Sequence, residues 1–245
     1  MIKAIVSGHS RGLGEAVAEA LLARGASVFG IARNSNERLA ARFPDCFAQV
    51  TLDLTDAAAI QRWLQTGAVG AWLSGAEQAL LINNAGTIAP MGPPALQDPG
   101  EVARALTLNV TAPLMLAAAF AAAGAGVADR RILHVSSGAA RKPYSGWSIY
   151  CASKAALDHH ARSVAEDKVA GLRICSLAPG VLDTEMQAAI RATSLERFPL
   201  RDRFAEMQRA GGLVAPEDCA RRLTDYLLGD AFGSAPTADL RDLPG

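Results

Sequence analysis

The chain has 245 residues, half of them hydrophobic, which is enough to bury a sizeable core in a single α/β domain. Lys and Arg number 24, as do Asp and Glu, so no net charge draws the protein to nucleic acid or to an anionic membrane. A small molecule is the expected ligand.

The first residues, MIKAIVSG, run straight into a glycine turn and do not build the long apolar stretch of a signal peptide. The longest apolar tract, residues 112–123, is too short to span a bilayer, and a cytoplasmic protein is expected. Cys46, Cys151, Cys175 and Cys219 are widely spaced with no clustered histidine, which predicts reduced thiols and neither a metal site nor a disulfide framework.

In chain order, β-branched and apolar runs predict strands at residues 3–7, 27–32, 46–52, 79–83, 131–136 and 172–177. Longer Ala-rich runs predict helices at 12–24, 56–65, 100–123 and 148–169. That alternation predicts a parallel sheet with helices on both faces, and right-handed crossovers favour a doubly wound, Rossmann sheet. Ligands of such a sheet bind at the carboxyl ends of its strands, where the motifs below fall. No repeat, linker or composition break marks a second domain. Helical stretches at 184–207 and 216–228 follow Pro179, and residues 183–215 are expected to form a lid over the substrate.

The first strand runs into Ser7-Gly8-His9-Ser10-Arg11-Gly12-Leu13-Gly14 and then a helix. A phosphate needs backbone N–H groups at a helix N-terminus with no side chain in the way, which glycines at 8, 12 and 14 provide. A plain tight turn would use the same glycines. The second strand ends Ala32-Arg33-Asn34, where a dinucleotide fold selective for a free ribose would carry an acid. Arg33 and Arg11 suit a 2′-phosphate instead, so NADP(H) is favoured over NAD(H). Asp53 is placed to accept from the adenine amino group with Leu54 packed nearby, and Asn83-Asn84-Ala85-Gly86 suits a backbone running close to the ribose. Helix caps and turns use such residues too.

Lys3, Lys142, Lys154 and Lys168 are the only lysines, so one standing four residues after Tyr150 is informative. Positions i and i+4 share a helix face, and the ammonium is expected to pull the phenol below its ordinary pKa of about 10. Ser137, ending the fifth strand, is placed to donate to a substrate carbonyl and hold it against the phenol. Asn109, a poor helix former within an apolar helix, is a candidate to hold a water that relays protons to Lys154. An amide satisfying local backbone is the alternative.

These residues together resemble the short-chain dehydrogenase/reductase family. The matching motifs are SGHSRGLG, Asp53-Leu54, NNAG at 83–86, Asn109, Ser137, Tyr150 with Lys154, and Pro179-Gly180 followed by Thr184, covering residues 1 to about 185. The resemblance implies a seven-stranded sheet, B-face hydride transfer, and Lys154 bonded to the nicotinamide ribose. It further implies cofactor contacts at Ser10, Leu13, Pro179, Gly180 and Leu182, with Thr184 near the carboxamide. A homodimer or homotetramer through the helices carrying Asn109 and Tyr150 is implied as well.

A narrower resemblance is to sepiapterin reductase and benzil reductase-like members. It rests on Ala32-Arg33-Asn34, on Gly146-Trp147 ahead of Tyr150-Cys151-Ala152, and on the run from Leu177 to Gln187. It implies that Asp239 anchors a pterin ring. Trp147 and Met186 are candidates to offer flat and adaptable contact surface, with a place in the core as the alternative for either. The expected activity is NADPH-dependent reduction of a ketone or α-dicarbonyl on a ring-bearing molecule. The alternatives are a general alcohol dehydrogenase or 3-oxoacyl reductase, and a non-catalytic NADP(H) sensor.

Overall fold

The computed structural model describes residues 1–243. Seven strands form one parallel sheet: β1 Ile2–Ser7, β2 Ser27–Ala32, β3 Phe47–Thr51, β4 Gln78–Asn83, β5 Asp129–Val135, β6 Leu172–Ala178 and β7 Thr237–Asp239. Their order across the sheet is β3-β2-β1-β4-β5-β6-β7. The winding direction therefore reverses between β1 and β4, and a ligand crevice opens beyond the carboxyl ends of those two strands. Six strands stand within two residues of their expected bounds, and the seventh, implied by the family resemblance alone, lies in the C-terminal stretch.

Alternation along each strand feeds two apolar layers. Ala4 and Val6 of β1, Leu80 and Ile82 of β4, and Leu133 of β5 face α1 Gly12–Ala23 and α10 Pro216–Leu228. Ile5, Leu81 and Ile132, one residue out of step, face the other side. There they meet α3 Ala57–Gln65, α4 Ala68–Leu73, α6 Ala112–Ala123 and α7 Ser148–Glu166. Two six-residue helices escape the sequence pattern, α2 Glu37–Arg42 and α4; α2 is started by Asn36, whose side chain accepts from Leu39 N–H at 2.9 Å.

The helix expected at 100–123 begins one residue earlier, at Pro99 behind the Asp98 cap. It is split into α5 Pro99–Leu106, a π-helical segment Thr107–Thr111, and α6. A π segment inserts one residue into the turn, and here it carries Asn109. Taken whole, Pro99–Ala123 is long and apolar enough to cross a membrane by length and composition, which corrects the reading based on residues 112–123. Its inner face is core: Ala112, Leu116, Ala117 and Phe120 are buried against the sheet. The stretch expected at 184–207 folds as two helices, α8 Glu185–Ala192 and α9 Arg201–Arg209. With Phe198 between them they cover a third apolar cluster of Ile88, Trp147, Tyr150, Ile190 and Phe204 above the strand ends.

Candidate active site

Ser7 of β1 lies opposite Asn83 of β4, so the loops leaving these strands start side by side. The Ser7 hydroxyl accepts from the backbone N–H of Asn84 at 3.0 Å and of Ala85 at 3.1 Å. The Asn84 amide returns to the carbonyls of Ser7 at 3.1 Å and Gly8 at 3.2 Å. Gly14 sits under this staple: a Cβ there would come within 2.1 Å of the Gly8 oxygen and 2.4 Å of the Asn84 amide nitrogen. A side chain at 14 therefore pushes the loop away from the first turn of α1. No side chain caps α1, whose leading residues Gly12, Leu13 and Gly14 line a cavity of about 640 Å³.

Every expected site residue except Asn109 and Asp239 lines that one cavity. Ser10, Arg33, Asn34, Asp53 and Leu54 stand at one end, beside the glycine turn. The Asp53 carboxylate already accepts from Thr55 N–H and from the Thr55 hydroxyl, both at 2.9 Å through Oδ1. Arg33 is exposed and makes no ion pair among the described residues, whereas Arg11 pairs with Glu185 at the start of α8. A residue the sequence left unremarked holds this end together. His9 is buried, and its Nε2 hydrogen-bonds Gln49 Oε1 at 2.8 Å. The same oxygen accepts from Asn36 N–H at 2.8 Å, which makes it an acceptor and fixes the His9 proton on Nε2. The ring lies on Gly30, where a Cβ would approach it to 2.5 Å.

At the other end Tyr150 and Lys154 emerge from α7, both buried, with Ser137 at the turn after β5. Lys154 Nζ donates to the Val135 carbonyl at 2.7 Å and stands 5.7 Å from the centroid of the Tyr150 ring. This corrects the expectation for the phenol. Burial pushes Tyr150 up and outweighs the Ser137 hydroxyl, which favours the phenolate; the ammonium is turned toward a backbone oxygen instead. Burial likewise pushes Lys154 down to about 8, against the pull of Asp158. At neutral pH the pair is thus a neutral phenol and an ammonium, the state that can donate a proton.

Asn109 stands behind these groups. Its oxygen accepts from Thr87 N–H at 2.8 Å, and its nitrogen donates to the Thr87 carbonyl at 2.8 Å and to Ser153 Oγ at 3.1 Å. Both amide hydrogens are committed, so the side chain satisfies backbone at Thr87 and fixes that loop against α7. Ser153 passes the restraint on by donating to the Tyr150 carbonyl at 2.8 Å.

Asp239 is corrected as well. Arg241 grips its carboxylate through Nε at 2.8 Å and Nη2 at 2.6 Å, with its backbone N–H at 3.0 Å, and holds it below the usual carboxylate range. It is Arg241, beside Gly180, that lines the cavity. The group presented there is a guanidinium already paired with Asp239. Trp147 and Met186 line the cavity as expected, joined by Tyr144, Phe204 and Met207, which sequence spacing alone does not mark.

A parallel doubly wound sheet, an uncapped glycine-led helix at its switch point, and a serine, tyrosine and lysine at the far end of one cavity define a dinucleotide-dependent oxidoreductase. A sequence model of the short chain dehydrogenase family matches residues 3–195, and the chain belongs to that family. Over 235 residues it is 34% identical to benzil reductase ((S)-benzoin forming) of Bacillus cereus, covering 93% of this chain and 94% of that protein. Sepiapterin reductase of Meriones unguiculatus is 32% identical over 253 residues, covering 97% and 95% respectively. Among solved structures, a short-chain dehydrogenase/reductase from Burkholderia vietnamiensis is 48% identical with a TM-score of 0.72, covering 99% of this chain and 98% of that one.

Proposed function

We propose that the protein is an NADPH-dependent carbonyl reductase acting on a ketone or α-dicarbonyl attached to a ring. The observation that carries this reading is the joining, in one cavity, of an uncapped α1 N-terminus and Arg33 with Ser137, Tyr150 and Lys154. The residues fit a dinucleotide. The cradle at Gly8 and Gly14 admits no Cβ, unbonded N–H groups of the first helical turn suit a pyrophosphate, and Arg33 rather than an acid follows β2.

Bound nicotinamide supplies a hydride; the chain's own residues handle the oxygen. Ser137 donates to the substrate carbonyl and orients it. The phenol of Tyr150, kept protonated by burial, gives its proton to the oxygen as negative charge develops there. Lys154 places a positive charge near the phenolate that remains. Trp147, Phe204 and Ile190 keep that end apolar, which strengthens each of these interactions. A flat wall of this kind favours a ring-bearing substrate, in keeping with the names of the two curated relatives.

Purified protein is to be assayed with NADPH and with NADH against benzil, sepiapterin and simple dicarbonyls. Consumption of NADPH in preference to NADH with one of the ring-bearing compounds is the expected result; indifference to all of them sinks the reading. The proposal extends to association through the helices carrying Asn109 and Tyr150, because only 39% of the apolar window within Pro99–Ala123 is buried. Sedimentation is expected to give a mass two or four times that of the chain, and a monomer contradicts it.

A further inference from the structure

One buried carboxylate takes no part in the chemistry above. Asp158 lies on α7, one turn beyond Lys154, and is 3% exposed. Its Oδ1 accepts from Ser136 Oγ at 2.6 Å and from Ser176 Oγ at 2.8 Å, and its Oδ2 from Arg141 Nε at 3.2 Å. Ser136 and Arg141 flank the short turn Gly138–Ala140 that Ser137 caps. A single carboxylate, on the helix that carries Tyr150 and Lys154, thus grips both ends of the turn that presents Ser137. Arg141 continues to the Ala238 carbonyl at 2.9 Å and ties β7 to the same point.

Building on the proposed reduction, we propose that Asp158 is a positioning residue for it, locking the Ser137 turn to the catalytic helix and supplying the buried counter-charge of the Lys154 ammonium. Stability alone is a poor reason for this group: the Asp158 carboxylate is buried while the Arg141 side chain stays 33% exposed, so desolvating the carboxylate offsets much of what the pair returns. The surroundings of Lys154 leave Asp158 as its anionic neighbour. Tyr150 is a neutral phenol, and Asn109 and Ser153 are uncharged. His134 of β5 is held neutral by burial, and the Arg141 guanidinium donates to Asp158 Oδ2. Burial works against the ammonium, and the Asp158 charge works for it.

The charge role makes two variants move in opposite directions. Asp158→Asn keeps the shape but removes the negative charge, so Lys154 loses its proton at lower pH. Arg141→Gln removes the cation shared by Asp158, so Lys154 holds its proton to higher pH. With only four lysines, carbon-13 labelled lysine side chains can be followed individually by NMR in ligand-free protein, and Lys154→Arg assigns the signal. The wild-type midpoint is expected at about 8. Shifts of about half a unit or more, down in Asp158→Asn and up in Arg141→Gln, are expected. The alkaline limb of the kcat profile should follow the same order.

Midpoints that stay put, or move the same way in both variants as mere loosening would make them, overturn the role of Asp158. If Asp158→Asn does not fold, the upward shift in Arg141→Gln decides alone. Because the titration needs neither substrate nor cofactor, its outcome is separate from that of the carbonyl assay: wild-type protein inert toward every carbonyl would sink the proposed reaction and leave the titration to judge the charge.

Discussion

The indole of Trp147 stands edge-on to the phenol of Tyr150, with ring centroids 5.4 Å apart and planes at 68°. Trp147 in turn stacks on Phe198 at 4.6 Å and meets Phe204 at 5.4 Å, so one aromatic wall runs from Tyr150 to α9. Under the proposed reaction, a carbonyl held at Tyr150 would carry its substituent along this aromatic wall.

Replacing Trp147 by Leu keeps the site apolar and removes the flat face. KM for benzil is expected to rise by about tenfold, the scale of one lost aromatic contact, while that for an acyclic aliphatic dione changes little. Steady-state kinetics on the two substrates checks this, and equal effects on both would deny the wall a part in substrate choice.

Arg33 and Arg11 separate the two ends of the phosphate argument. Arg33 has no ion pair among the described residues, whereas Arg11 is engaged by Glu185. Arg33→Ala is expected to raise KM for NADPH by about tenfold to a hundredfold, the worth of a hydrogen bond to a charged group, and to leave KM for NADH unchanged. Equal losses with both cofactors would mean that no 2′-phosphate is read at this position.

The strands were legible because alternation and β-branched runs leave a period of two, and α1 and α10 because glycine and proline mark their starts. The short α2 and α4 were not, since six residues give too little periodicity to register. The Tyr150 to Lys154 spacing reveals a shared helix face but not the direction of the ammonium, which is set by the Val135 carbonyl of β5. Asp239 shows the same limit. Its place near the C-terminal end of the sheet could be anticipated, but the clasp by Arg241 depends on a loop turning back over two residues. Asn109 is a poor helix former in an apolar helix, and it lies in the π segment that interrupts that helix.

Stability toward acid has a definite sign. The Asn83 amide nitrogen donates to the Pro113 carbonyl at 3.2 Å and to His134 Nδ1 at 3.1 Å. His134 therefore carries its proton on Nε2, facing His160 Nδ1 at 3.1 Å, and a second proton has no acceptor. Burial, with the His160 and Lys154 charges, pushes its pKa down to about 3 from 6.5. Above 6.5 folded and unfolded chains bind the same number of protons here; below it the unfolded chain takes up one that the folded chain refuses. Stability should therefore fall as pH drops from 6.5 toward 3, by up to about 1.4 kcal/mol per unit for this histidine. His9 and His160, also lowered by burial, add to the slope. Denaturant unfolding across this range is expected to show a shallower fall in His134→Gln than in wild type; parallel curves would mean that His134 does not titrate as described.

The most direct measurement compares wild type with Tyr150→Phe in a single assay of NADPH consumption and benzoin formation from benzil. Wild type is expected to form about one alcohol per NADPH consumed. Phenylalanine at 150 should lower kcat by about a hundredfold to ten-thousandfold, the usual worth of a positioned proton donor, with NADPH binding preserved by fluorescence titration. Turnover of ring-bearing carbonyls that survives the loss of the hydroxyl, or a wild-type protein that binds no pyridine nucleotide, would contradict the account.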